Sequence, residues 1–183
     1  MKTNNTPLAL FAALALAIGA LAVGCGSDNG TSASGNATDA AFITDMTTHH
    51  QGAIRMAEIA QTRAQHPEVR RLADHIISAQ KGQISVMKRI GADMRGMNMG
   101  HGGHMGMSQS DMGMNMDLPM LRHTKSFDRA LIDMMLPHHQ GAIAMARKEL
   151  AKGSQPALQT IAQDTIDAQT KEIAQMHQWR RAW

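Results

Sequence analysis

The body of this chain repeats itself, and the repeat limits what it can fold into. Moved along by 89 places, Ile43–Ile90 falls without a gap on Ile132–Trp179. HHQGAIRMA (His49–Ala57) lands on HHQGAIAMA (His138–Ala146), Pro67 on Pro156, Ala79-Gln80 on Ala168-Gln169, and Met87 on Met176. Self-similarity at one fixed offset marks a supersecondary unit used twice. Within each copy the apolar residues recur at helical rather than strand spacing. Phe42, Met46, Ala53, Ile54 and Ala57 form one stripe; Leu72, Ile76, Ala79, Gln83 and Met87 form another, less purely apolar.

The prolines of His66-Pro67 and Gln155-Pro156 stand where a second helix starts, a position whose N–H lacks a helical acceptor in any case. The pattern predicts helices over residues 39–64, 67–92, 124–152 and 155–181. Two hairpins of long amphipathic helices bury their stripes best as a four-helix bundle. The fold class is therefore all-α. A single domain is expected over 39–183, with a first hairpin at 39–92, a linker at 93–123 and a second hairpin at 124–181. Gly52 and Gly141 lie inside helices at a cost of about 1 kcal/mol each relative to Ala. Their missing side chains predict a neighbour's close approach or space kept beside the histidines. Pro137 removes one helical hydrogen bond just before His138, where the first copy has Thr48.

Residues three and four apart share a helix face. Met46 therefore lies beside both His49 and His50, with Met56 further along the same flank, and Met135, His138, His139 and Met145 repeat the arrangement. Thioether sulfur and imidazole nitrogen suit a soft cation, whereas hard cations take carboxylate and carbonyl oxygen. Bundle sites draw on facing helices, so Met87 and Met176 are candidate additional ligands. Gln80, Gln83, Gln169 and Glu172 are candidates to orient the ligand rings by hydrogen bonds. Two plainer readings stand beside this one. Adjacent helical residues point about 100° apart, so one histidine of each pair can be a boundary polar residue, and helix methionines often only fill core. His66, His75, His123 and His177 have no repeated counterpart and are secondary positions.

The linker is unusual in its own right. Nine of the 17 methionines fall between Met94 and Met120, spaced by glycines and by two histidines. Met97, Met99, His101, His104, Met105, Met107, Met112, Met114 and Met116 are its candidate metal ligands. Ordinary linkers use Gly, Ser, Pro and charge. The alternative is a flexible segment whose methionines absorb oxidant.

Residues 1–24 read as an export leader, with Lys2 before an apolar run over 8–23. LAVGC resembles the bacterial lipobox, which makes Cys25 the lipidation site and implies a membrane-anchored, extracytoplasmic protein of the cell envelope. Residues 25–38 form a Gly/Ser/Asn tether. Cys25 is the sole cysteine, so disulfides and Cys-based zinc sites are excluded. The net charge of +3 comes from scattered basic residues without aromatic interleaving, which speaks against nucleic acid. No Glu-x-x-His, HExxH, GxSxG or phosphate-cradling glycine loop occurs. Catalysis is not expected.

FITDMTTHHQGAIRMAEIA and FDRALIDMMLPHHQGAIAMARKEL, each followed by Q-x-x-[EQ]-I-x-x-M, resemble the bacterial family called domain of unknown function 305. That resemblance implies a ferritin-like fold and, for exported Met/His-rich members, copper binding and resistance. By motif it points to His49, His50, Met56, His138, His139 and Met145, with Gln83 standing where the motif often has Glu. The expectation is a protein that sequesters or delivers Cu(I), or Ag(I), with its protein partner unspecified. A ferritin-like metal oxidoreductase and a metal-free envelope scaffold are the alternatives.

Overall fold

The structure, a computed structural model, describes residues 35–96 and 103–183. The leader, Cys25, residues 25–34 of the tether, and the linker donors Met97, Met99 and His101 lie outside the described residues. The described elements are α1 (Ala37–Arg63), α2 (Pro67–Gly96), α3 (Leu118–His123), α4 (Phe127–Lys152) and α5 (Pro156–Ala182). All are helical, as the apolar spacing requires. α1 pairs with α2 and α4 with α5, α1 packs against α4, and α2 and α5 touch only sparingly. The two HHQG helices thus form the centre. Among the described residues no helix is long and apolar enough to cross a membrane.

The structure differs from the sequence expectation in three places: α2 continues to Gly96, α4 begins at Phe127 rather than at 124, and the short α3 forms within the linker. The Asp117 side chain accepts from the Met120 N–H at 2.8 Å, and Pro119 stands in the first turn, so this short helix has a proper start.

The repeat is realised in space as a reciprocal relation between its copies. Asp128 at the start of α4 accepts from the Gln65 and His66 N–H groups at 3.0 and 2.8 Å, closing the α1–α2 turn. Its equivalent Asp39, in α1, accepts from the Ser154 and Gln155 N–H groups at 3.1 and 3.0 Å, closing the α4–α5 turn. Each copy's leading aspartate therefore caps the turn of the other copy. Orphan N–H groups at helix starts need such acceptors.

The core divides into two clusters. One gathers Met56, Met135 and Met176 with Phe127, Leu121 and Ile132. The other gathers Met46, Met87 and Met145 with Phe42 and Leu158, joined by Met94 and Met105. Each cluster takes two of these repeated methionines from one copy and the third from the other, and the two trios are related by the offset of the repeat.

Candidate metal centre

His49, His50, His138 and His139 are all fully buried on α1 and α4, the two helices that pack together at the centre. The sequence leaves room for only one of each pair to face inward, yet all four are covered. The helix–helix interface encloses one ring of each pair, and the second helix of the hairpin meets the other. His49 and His138, equivalent in the repeat, lie ring against ring with centroids 3.7 Å apart. His50 Nε2–H donates to Oε1 of Gln83 at 2.7 Å, and His139 Nε2–H donates to Oε2 of Glu172 at 2.6 Å. His49 Nε2–H donates to the Met112 carbonyl at 2.9 Å. In three of the four rings one nitrogen is thus held as a donor, which leaves Nδ1 with its lone pair free.

Those lone pairs meet no donor. Nδ1 of His49, His50 and His139, and both nitrogens of His138, are buried without a hydrogen-bond partner. Buried polar atoms in native proteins are nearly always paired, and an orphan costs about 1–3 kcal/mol. A set of orphans on adjoining rings is what a coordination site presents to its ion. Burial also keeps the rings neutral. Desolvation, reinforced by His50, lowers His49 to about 3; desolvation, partly offset by Gln83, lowers His50 to about 4. Desolvation and the neighbouring rings hold His138 well below the ordinary histidine range. Neutral imidazole is the form that binds metal.

The two halves are not electrically alike. Gln83 and Glu172 occupy equivalent positions, but only Glu172 carries charge. Its Oε1 also accepts from Nδ1 of His75 at 3.0 Å, a ring that reaches the surface. Burial alone would raise the Glu172 carboxyl; the bonds from His139 and His75 outweigh it and hold the group at about 2. The same bond raises His75. The side-chain oxygens of Gln80 and Gln169 are buried without partners, so neither accepts from a ring as the sequence suggests.

The described part of the linker is a strap laid across α1 and α4 rather than a free tail. Gly141 admits its backbone: a β-carbon there would stand 2.7 Å from Met112 Cα and collide with the Met112 carbonyl. Gly113, at φ +65°, turns against the carbonyl of Pro137, an approach no side chain would permit. Met116 reaches over Gly52. Asp45 anchors the near end, accepting from the Met105 N–H at 2.7 Å and from His104 Nδ1 at 2.6 Å. Lys148 donates to the Met105 carbonyl. Met105 is buried, and Met107, Met112, Met114 and Met116 are half-buried. Sequence reasoning misses Asp45, because nothing around it in the chain hints at a contact with residues 104–105.

Among the described residues no three His, Cys, Asp or Glu side chains gather as a metal site. Buried thioethers of Met46, Met56, Met87, Met135, Met145 and Met176 lie on the four long helices, and sulfur is a donor that suits a soft ion.

The family model described as domain of unknown function (DUF305) matches residues 39–180. Among solved structures, CopM in its Cu(II)-bound form is 40% identical, with a TM-score of 0.69, over 79% of this chain and 97% of that one. CopM in its Cu(I)-bound form is 36% identical, TM-score 0.68, over 79% and 96%. A DUF305 fragment from Deinococcus radiodurans is 25% identical, TM-score 0.68, over 80% and 97%. A sequence comparison with functionally curated proteins gives no match.

Proposed function

The chain belongs to the DUF305 family, and from that premise we propose that it is an exported copper-binding protein that holds Cu(I), and Ag(I) in its place, as cargo. The observation that carries this reading is the set of unpartnered imidazole nitrogens buried between two methionine trios. Each trio is matched with one outer histidine. Met46 lies one helical turn before His50, and Met87 one turn beyond its partner Gln83, with Met145 packed in the same cluster. Met135 and Met176 stand likewise to His139 and Glu172, with Met56 as the third sulfur. One imidazole and up to three thioethers form a neutral, soft donor set, which stabilises a monovalent d¹⁰ ion and offers little to hard cations. The strap methionines Met105, Met107, Met112, Met114 and Met116, with Met97, Met99, His101 and His104, supply further donors along the ion's way in. Solved copper-bound states of CopM support the assignment of the metal. The leader and Cys25 support secretion and a lipid anchor.

Titration of the full chain with Cu(I) against a chromogenic chelator tests the reading. The double variant H50N/H139N is expected to lose most high-affinity binding while remaining helical. Unchanged binding in that variant refutes the assignment of the outer histidines. Steady consumption of O₂ with Cu(I), abolished in the same variant, would instead favour an oxidase.

A further inference from the structure

We propose that the end of the bundle carrying Trp183 docks on an anionic phospholipid surface. Three stretches far apart in the chain meet at that end: the α1–α2 turn, the α3–α4 junction and the close of α5. His66 Nδ1–H donates to Asp128 Oδ2 at 2.6 Å, and Arg63 donates to the Thr124 carbonyl at 2.7 Å, which joins the first two. The Trp183 ring stacks on His66 with centroids 3.6 Å apart, and Trp179 lies nearly parallel to Trp183 at 5.8 Å, which brings in the third.

The basic residues look dispersed along the sequence, but the fold collects them here. Arg70, Arg122, Lys125, Arg129, Arg180 and Arg181 are all exposed. Arg180 pairs with Asp133. Among the described residues no carboxylate forms an ion pair with Arg122, Lys125, Arg129 or Arg181. Over residues 62–70, 121–129 and 178–183 the acidic residues are Glu68 and Asp128, and Asp128 is buried beneath the turn it caps. Phosphate headgroups complement a face of this sign. An acidic protein would share that attraction; the apolar side chains favour a bilayer. Trp183 and, on α3, Met120 are large apolar residues left exposed. An indole set among cations suits the membrane interface, with the ring towards the tails and the charged groups at the phosphates. The lipid anchor expected at Cys25 supplies the setting. From Cys25 to Asn36 the chain extends to at most roughly 36–40 Å, and α1, with 27 residues, is about 40 Å long. An anchor leading into the Asn36 end therefore leaves the Trp183 end within reach of the same bilayer.

The chain's two tryptophans both stand at this end, so their fluorescence reports on it alone. The full chain, carrying C25S so that no acyl group is attached, is mixed without metal with vesicles whose brominated tails quench tryptophan on contact. One set is phosphatidylcholine alone; the other also contains phosphatidylglycerol. The leader's apolar run can hold the chain on either set, so quenching rather than binding is read. The expected result is quenching by the phosphatidylglycerol vesicles, little by phosphatidylcholine, and loss of the effect at high salt. In R122Q/K125Q/R181Q each lost charge lowers the ratio of engaged to free ends about fivefold. Quenching then nearly vanishes while the helical circular dichroism stays as in wild type. Equal quenching by both vesicle sets, or full quenching of the triple variant, overturns the proposal. So does tryptophan emission that ignores vesicles but responds to polyglutamate, which would assign the face to an acidic protein. Because no metal is present, any of these failures leaves the copper reading untouched.

Discussion

Replacing Gly141 by Ala tests the seating of the strap, and the structure sets opposing terms against each other. An ordinary helix-interior Gly→Ala change stabilises by about 1 kcal/mol. At Gly141 the new methyl meets the backbone of Met112, which cannot rotate away as a side chain could. If the strap lifts, His49 loses the acceptor of its Nε2–H and a buried donor is left unpaired, at about 1–3 kcal/mol. If it stays, overpacking costs about 1–3 kcal/mol. The net expectation is a destabilisation on the order of 1 kcal/mol, a fall in Tm of roughly 2–4 °C for a domain this size. The control is Gly82→Ala in α2, where a β-carbon meets nothing within 4 Å and the residue is exposed. That variant is expected to melt slightly higher than wild type. Thermal unfolding of both by circular dichroism, with cleavage of the strap by a broad-specificity protease, reads the difference. A G141A protein that melts at or above wild type, with a strap no more easily cut, refutes the argument.

Other expectations follow from the asymmetry and the buried charges. Glu172→Gln removes the charge behind His139 and should weaken the tighter Cu(I) phase about 10–100-fold, while Gln83→Glu strengthens the other; competition titration resolves the phases, and identical curves in both variants count against the inequivalence. Stability of the metal-free protein should fall as pH drops below about 6.5, because unfolded histidines take up protons there while native His49 and His50 wait until about 3 and 4. The urea midpoint against pH reads this loss, and Glu172 adds to it only below its unfolded value of 4.5, towards 2. Glu149 behaves oppositely: burial, then Asp39, raises it to about 8, so the native state holds the extra proton between 4.5 and 8 and stability declines as pH rises through that window. Glu149→Gln should raise the midpoint above pH 7 and flatten that decline; an unchanged slope would show that the proton is not held there.

Much of the architecture is legible in the sequence because periodicity and duplication are local signals. The stripes through Phe42, Met46 and Ala53 or Leu72 and Ile76 require helices whatever they pack against, and Pro67 and Pro156 start helices at the positions read for them. The paired histidines and flanking methionines are also visible, since helix geometry alone puts them on neighbouring faces. The strap's path is not. It depends on Gly141 being bare where Met112 passes and on Gly52 being bare beneath Met116, contacts between segments far apart in the chain, and no local pattern encodes them. The two glycines stand out in the sequence as costly; Gly141 admits a backbone segment of the strap, and Gly52 a strap thioether together with the His138 ring of the neighbouring α4. α3 has a readable start in Asp117-Leu118-Pro119, hidden when the segment is weighed only for its methionines. Glu172 and Gln83 can be aligned by the repeat, whereas the link from Glu172 to His75 joins two helices of different hairpins and has no sequence signature.

The crossed aspartate caps bear on how the molecule assembles. Asp39 and Asp128 each finish a turn that belongs to the opposite half, so neither hairpin is complete by itself. A chain emerging with only its first half made would expose the Gln65 and His66 amides to water until Asp128 arrived. Both halves therefore settle together, as one cooperative event with long-range contacts that slow it. The same reciprocity means that two separately produced halves carry matching ends, each holding the acceptor the other lacks.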